Sequence, residues 1–418
     1  MNAGNVSFKC VEGHGYPFSF FGDIETMVEC PTCQGNLFLD NQFDDSSPEF
    51  FRTEHSFWEY MSHLLPPELT ESRISLGEGK TPLIQSNLVT SNKTGGIYFK
   101  DESQNPTKSY RDRAAALLVA HALTLKVKSI FSASNGNMGA AISAYSARAG
   151  IAARIFSVRG LDVGKKSQIL TYGGILFDGH ADINKAIQVC LENQIKEDGY
   201  QGTAELNPIS ILAQKTISYE IVADGVIPDE IFISIGNGGT LFSIWQGFND
   251  LLNLGIIEKV PRMIGARVVN DTKTKILPLL ESQKFSQRDL LEYALKQSGG
   301  KIIDVSEKEI GIAVSNLART EGFFVEPASA AAFAALSKHD GGKDLNQVVI
   351  LTGTGLKAPI VIEAISNKDN FYTAAKFQKK MNLRLSILDQ LNQAGELHGY
   401  GIYQGMKDMR SKQAVYQH

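Results

Sequence analysis

At 418 residues, 43% of them hydrophobic and 21% charged, the chain has a soluble globular composition and length enough for two or three domains. A formal net charge of −4 excludes a polycationic surface that would grip nucleic acid or membranes by electrostatics alone, so small-molecule work is expected. No apolar run approaches the roughly 20 residues that cross a bilayer, and the opening MNAGNVSFKC lacks the charged-then-apolar order of a signal peptide; a cytoplasmic protein is expected.

Composition divides the chain into a Cys-bearing head over residues 1–45, an alternating α/β body over 46–375 and a short helical tail over 376–418. In the head, Cys10-x3-His14 and Cys30-x2-Cys33 form two short knuckles whose four side chains suit a tetrahedral Cys3His zinc site; an unmetallated vestige is the alternative. The fourth cysteine, Cys190, lies in a predicted helix and reads as a small buried hydrophobe, so no disulfide framework is expected.

Through the body, β-branched or aromatic runs at Ile97 to Lys100, Ser129 to Ser132, Ala153 to Val158, Glu230 to Ile235 and Val348 to Thr352 alternate with Ala-rich helical stretches. That alternation demands crossover connections and mainly parallel sheets. Ligands of open α/β sheets sit at the carboxyl ends of the strands, which directs attention to the loops that follow these runs.

The first such loop, Asn105-Pro106-Thr107-Lys108-Ser109-Tyr110-Arg111-Asp112-Arg113, reads as a helix start with Ser109 as N-cap and Asp112 completing a capping box. A capping box alone marks nothing more than a helix start. In the second, Ser134-Asn135-Gly136-Asn137-Met138-Gly139, the glycines permit close backbone approach and Asn137 can present an amide to a ligand. The third, Gly236-Asn237-Gly238-Gly239-Thr240, offers consecutive N–H groups at a helix start, an anion cradle suited to phosphate, though an ordinary tight turn has the same composition. A fourth, Thr352-Gly353-Thr354-Gly355, brings a hydroxyl to the same end of the sheet.

In the tail, residues 382–415 carry apolar residues at helical spacing with Gly395 and Gly399 between helices, similar to the first part of a winged helix-turn-helix. No wing follows and there is no strong basic patch, so a packing or regulatory appendage is expected and nucleic acid is not an expected partner.

Taken in order, SLGEGKTPLI (75–84), FKDESQNPT (99–107), SNGNMGAA, GKKSQ (164–168), NPI with QKT (207–216), GNGGTLFSIW, EPASAAA (326–332) and LTGTGLK (351–357) resemble the threonine synthase branch of the fold-type II, tryptophan-synthase-β-like family that uses pyridoxal phosphate (PLP). The resemblance runs from about residue 55 to 370. It implies a two-lobed α/β fold with mainly parallel sheets, the small lobe inserted at roughly 95–210, a zinc-ribbon-like head and a partial winged-helix tail. A homodimer is the expected assembly, with an amino-acid substrate or ligand. By the same resemblance Gly236, Asn237, Gly238, Gly239 and Thr240 hold the PLP phosphate, Asn137 bonds the ring's 3′-oxygen and Thr352 faces the pyridine nitrogen. Ser134, Asn135 and Gly136 take the substrate α-carboxylate.

The chain departs from the family pattern where the chemistry is concentrated. The family string N-P-T-G-S-F-K-D-R-G places its Schiff-base lysine, which also moves protons at the substrate Cα, at the position of Arg111. A guanidinium is planar, delocalised and always protonated, so it neither forms a stable Schiff base nor acts as a general base. Lys108, three residues upstream, is the candidate substitute, although it stands where the family has glycine and precedes the helix. Ser210 stands where an arginine is expected, while Ala213 and Ala114 replace glycines, leaving Lys165, Lys166 and Arg159 as candidate phosphate donors or solvated surface charges. Two functions follow. One is a PLP-dependent lyase or β/γ-replacement enzyme acting on an O-substituted amino acid such as O-phosphohomoserine, divergent at the lysine. The other is an inactive homologue that binds PLP, phosphate or an amino acid for regulation or assembly.

Overall fold

β-Branched and aromatic residues favour extended backbone because their side chains pack well on a pleated surface, and the runs singled out above form strands within a residue of the expected limits. A computed structural model describes residues 6–17, 28–41, 43, 47–86, 95–269, 276–279, 281–340 and 344–365. The expected winged-helix tail lies outside the described residues.

Three sheets organise these residues. In the head, β1 (Val6–Lys9) pairs antiparallel with both β2 (Gly15–Pro17) and β3 (Phe38–Asn41). The larger body sheet contains β4 (Leu83–Gln85), β5 (Ile97–Asp101), β10 (Glu230–Ser234), β11 (Arg262–Val268), β12 (Lys301–Val305) and β13 (Gln347–Leu351), in the order β12-β11-β10-β13-β5-β4. All its pairings are parallel except that of the edge strand β4. The smaller sheet, wholly parallel, has β6 (Ser129–Ala133), β7 (Ala152–Val158), β8 (Ile175–His180) and β9 (Tyr200–Gln201) in the order β8-β7-β6-β9. β5, at the start of the expected inserted lobe, therefore pairs within the larger sheet.

Helices cover the sheets as parallel strands require. The helix Arg111–Thr124 is apolar nearly all round and packs against Asn137–Ala149 and Ile209–Gln214, its alanines letting the axes approach closely. One end of this packing is held by ions. Arg113, fully buried, donates from Nε to Glu102 Oε2 (2.8 Å) and from Nη2 to Glu102 Oε1 (2.7 Å) and Glu220 Oε2 (2.8 Å). Lys100 Nζ lies 2.9 Å from the same Glu220 carboxylate. Burial pushes the Glu220 carboxyl up, but Arg113 and Lys100 outweigh it and hold the group down at about 2. Breaking such a buried cluster by removing one partner costs about 3–5 kcal/mol, since an unpaired charge stays inside. The cluster joins β5 to two helices and thereby fixes where Arg111–Thr124 begins. No helix among the described residues is long and apolar enough to cross a membrane.

Candidate ligand cleft and metal centre

The loops after β6, β10 and β13 and the first turn of Arg111–Thr124 face one cleft between the two body sheets, with ≈ 1000 Å³ of open space, mouth included. After β10 the chain turns at Gly238, whose φ of +95° is strained for any side chain, and enters the helix Gly239–Asn253. Among the described residues no side chain caps that helix, so its first-turn N–H groups remain available to an anion. Close approach explains the next glycine: a Cβ on Gly239 would lie 2.0 Å from Gln287 Oε1.

Arg111 is half-buried and lines this cleft. Its guanidinium carbon lies 4.7 Å from the centroid of the Tyr110 ring, and it makes no ion pair among the described residues. Tyr110 in turn accepts a hydrogen bond at its hydroxyl from Thr240 Oγ1 (3.1 Å), which links Arg111 to the cradle. No lysine lines the cleft among the described residues. Lys108 is exposed, has a φ of +71° and is absent from the cleft wall.

The expected capping box does not form. The N-cap is Tyr110, one residue later than expected, and no side chain caps the helix. Asp112 instead turns back to accept from Thr107 N (3.2 Å) and Thr107 Oγ1 (2.9 Å), while Ser109 Oγ is buried without a partner among the described residues. A loop doubled back under its own helix outcompetes the local cap because Asp112 is buried and must be satisfied there. Burial pushes its carboxyl up to about 7 despite the nearby Lys357. Lys357, also buried, donates to Thr107 O (2.7 Å) and Gln168 Oε1 (2.6 Å), and burial brings its ammonium down to about 8.

Across the cleft, Asn137 Nδ2 donates to Glu326 Oε1 (2.7 Å), and Lys165 Nζ lies 3.1 Å from Glu326 Oε2. Lys165 is thus a buried ion-pair partner lining a smaller pocket that adjoins the cleft at Asn135 and Glu326, and Lys166 pairs with Asp178 at 2.6 Å outside the cleft wall. Arg159 is exposed and also absent from its wall. Among the described residues the side-chain oxygens of Asn135, Asn137 and Gln214, all in the wall, are buried without a hydrogen-bond partner. Ser134 Oγ accepts from Gly136 N (2.9 Å) and Gly139 N (3.1 Å), folding the second loop into its turn. Ser210 lines the wall as a neutral hydroxyl donating to Ala204 O (2.8 Å), and Thr352 completes the wall at the end of β13. Sequence reasoning missed Glu326, Gln214, Gln287 and Tyr110. Only Glu326 had a local signal, as an acid immediately before the Pro327 that opens a helix.

In the head the two knuckles converge. Ligand atoms of Cys10, His14, Cys30 and Cys33 all lie within 4.8 Å of one another, with Cys10 Sγ 3.3 Å and Cys30 Sγ 3.6 Å from His14 Nδ1. Three thiols and an imidazole are the ligand types that tetrahedral zinc takes.

Two α/β lobes enclose an uncapped helix start and an amide-lined wall, an arrangement that suits a small anionic ligand. Residues 74–353 match the family described as pyridoxal-phosphate dependent enzymes. Among similar proteins, the threonine synthase of Methanocaldococcus jannaschii is 30% identical, covering 88% of this chain and 97% of that protein. The threonine synthase of Mycobacterium tuberculosis is 34% identical over 68% of this chain and 84% of its own length. Solved structures share the fold, including a hydrogen sulfide-producing enzyme from Fusobacterium nucleatum (TM-score 0.59, 21% identity, 70% of this chain, 99% of that one). Serine racemase from Dictyostelium discoideum is comparable (TM-score 0.56, 21% identity, 69% of this chain, 97% of that one). The chain belongs to the pyridoxal-phosphate dependent enzyme family, and its relatives support a lyase function. The wall fits the cofactor in part: the cradle suits a phosphate and the unpartnered amide oxygens suit hydroxyl or N–H donors, but among the described residues nothing in the wall supplies the amine of a covalent link.

Proposed function

We propose that the chain is a divergent threonine-synthase-like protein that holds PLP without a covalent lysine link, beside an O-substituted amino acid such as O-phosphohomoserine, and does not make threonine by the lysine-dependent route. The observation that carries this is the cleft wall around Arg111: a permanently charged guanidinium joined through Tyr110 to the phosphate cradle, with no lysine in the wall among the described residues.

PLP, when bound, supplies an electron sink for bonds at an amino acid's α-carbon. The protein's share is positioning. Gly236 to Thr240 would hold the phosphate through their N–H groups, and Arg111 would add a fixed positive charge in the same cleft. Asn137 and Thr352 would hold the ring, while Ser134, Asn135 and Gly136 would receive the ligand's carboxylate. Glu326 holds the Asn137 amide in orientation through the 2.7 Å hydrogen bond. Arg111 cannot take a proton from the α-carbon at any accessible pH, and loss of one acid-base group alone costs a factor of about 10² to 10⁴ in rate. Homodimeric assembly is carried over from the family, and zinc is inferred for the four head ligands on the strength of their convergence.

Addition of PLP to the purified full chain, borohydride reduction and peptide mapping test this reading. The expected result is saturable PLP binding that dialysis reverses, with no adduct on any lysine bordering the cleft. An adduct on Lys108 that disappears in Lys108→Ala would replace the proposal with a working lyase using a substitute amine.

A further inference from the structure

We propose that metal bound in the head sets the geometry of the phosphate cradle, so that the metal centre is a positioning element for the ligand cleft; this rests on the zinc reading of the four head ligands. The connection starts at the second knuckle. Cys30 N donates to Gly35 O (2.7 Å) and Gln34 N to Cys30 O (2.8 Å), with Gln34 at a φ of +62°, so the chain around the two cysteines is folded into a tight turn. A Cβ on Gly35 would lie 3.5 Å from Cys33 Sγ and 3.1 Å from Asp289 Oδ2: the turn is wedged between a metal-ligating sulfur and a carboxylate of the body. The next residue, Asn36, closes the clamp by donating from its backbone N to Asp289 Oδ2 (2.7 Å) and from Nδ2 to Asp289 Oδ1 (2.5 Å) and Ser286 O (3.0 Å).

The clamped segment carries Gln287, a wall residue of the cleft. Gln287 N donates to Asn237 O (3.1 Å), and its side chain is the group that a Cβ on Gly239 would strike. A chain of contacts through Gly35, Asn36 and Asp289 therefore leads from the Cys33 sulfur to the turn that presents the cradle N–H groups. A second route reaches the same helix. β3 follows the second knuckle, its Phe38 ring packs 4.9 Å from that of Phe242, and its Leu39 O accepts from Gln246 Nε2 (2.9 Å), both on the cradle helix Gly239–Asn253. Register places Lys9, the neighbour of Cys10, opposite Phe38, so closing the two knuckles on one metal holds both sides of this support together.

Without metal, a small head of three short strands has little core of its own, and such sites fold as they load. A slack knuckle releases Asn36, and with it the segment that pins Asn237 and Gly239. The cradle then samples turns whose N–H groups no longer converge on one anion.

Hydrogen exchange of the peptide spanning residues 236–242 decides the matter in the ligand-free full chain, with zinc content measured on the same samples. Expected are one zinc per chain, faster exchange of this peptide after chelation, and PLP binding weakened about tenfold, within the usual range for coupled sites. Asp289→Ala keeps its zinc and reproduces the faster exchange, which separates loss of the clamp from any general unfolding caused by chelation. Absence of stoichiometric zinc overturns the proposal, as does wild-type exchange of the cradle in zinc-loaded Asp289→Ala. If zinc-loaded protein takes up no PLP, the reading of the cleft fails, while the exchange data still decide the coupling.

Discussion

Replacing Arg111 by lysine isolates the chemistry of the cleft from its stability. The guanidinium makes no ion pair among the described residues, and it lies 4.7 Å from the centroid of the Tyr110 ring, a contact worth about 0.5–1 kcal/mol at an accessible site. Lysine and arginine have nearly equal helix propensities, so Arg111→Lys should change unfolding free energy by less than about 1 kcal/mol. Its chemical effect is far larger, because the new amine can condense with an aldehyde and relay a proton, a role worth a factor of about 10² to 10⁴. Borohydride reduction followed by peptide mapping should find no adduct in the wild type and a stoichiometric adduct at position 111 in the variant. Threonine formation from O-phosphohomoserine, measured in parallel, should rise with it. The reasoning is refuted if the variant binds PLP with wild-type affinity yet yields no adduct at that position, since the side chain would then not face the cofactor's aldehyde.

Gly239→Ala puts a Cβ 2.0 Å from Gln287 Oε1, an overlap that moves either Gln287 or the cradle and costs about 1–3 kcal/mol; calorimetric titration with PLP should show weaker binding, and unchanged affinity would remove Gly239 from the cradle. Lys108→Gly relieves a left-handed residue at φ +71° and should raise the unfolding free energy by up to about 1 kcal/mol, read as a higher urea midpoint, without altering PLP affinity; a loss of binding would bring Lys108 into the site. Burial raises the Asp112 carboxyl to about 7 from an unfolded value near 3.9, so the folded state holds more protons than the unfolded state between those limits. That contribution is complete below about pH 4 and is lost as pH rises through about 7. Urea titrations at pH 5 and 7.5 should therefore show wild type losing more stability with rising pH than Asp112→Asn, and parallel losses would place the ionisation elsewhere.

What the sequence by itself determined was local in origin. Runs of β-branched residues located β5, β6, β7, β10 and β13, and the glycine-rich turns after three of them located the cradle and its neighbours, because propensity and turn chemistry act over a few residues. Cysteine spacing likewise pointed to four head ligands that the fold brings within 4.8 Å. Tertiary structure decided the rest. Asp112 had the right spacing for a capping box, yet burial sent its carboxylate to Thr107, since an unsatisfied charge inside costs more than an unmade cap. Lys165 read equally as surface charge or phosphate donor until the approach of Glu326, far along the chain, turned it into a buried pair. Asn36 and Asp289 stand 253 positions apart, and Gln287 meets Asn237 only through the sheet packing between them. Contacts of that kind depend on where whole elements come to rest, and periodicity or spacing carries no record of it.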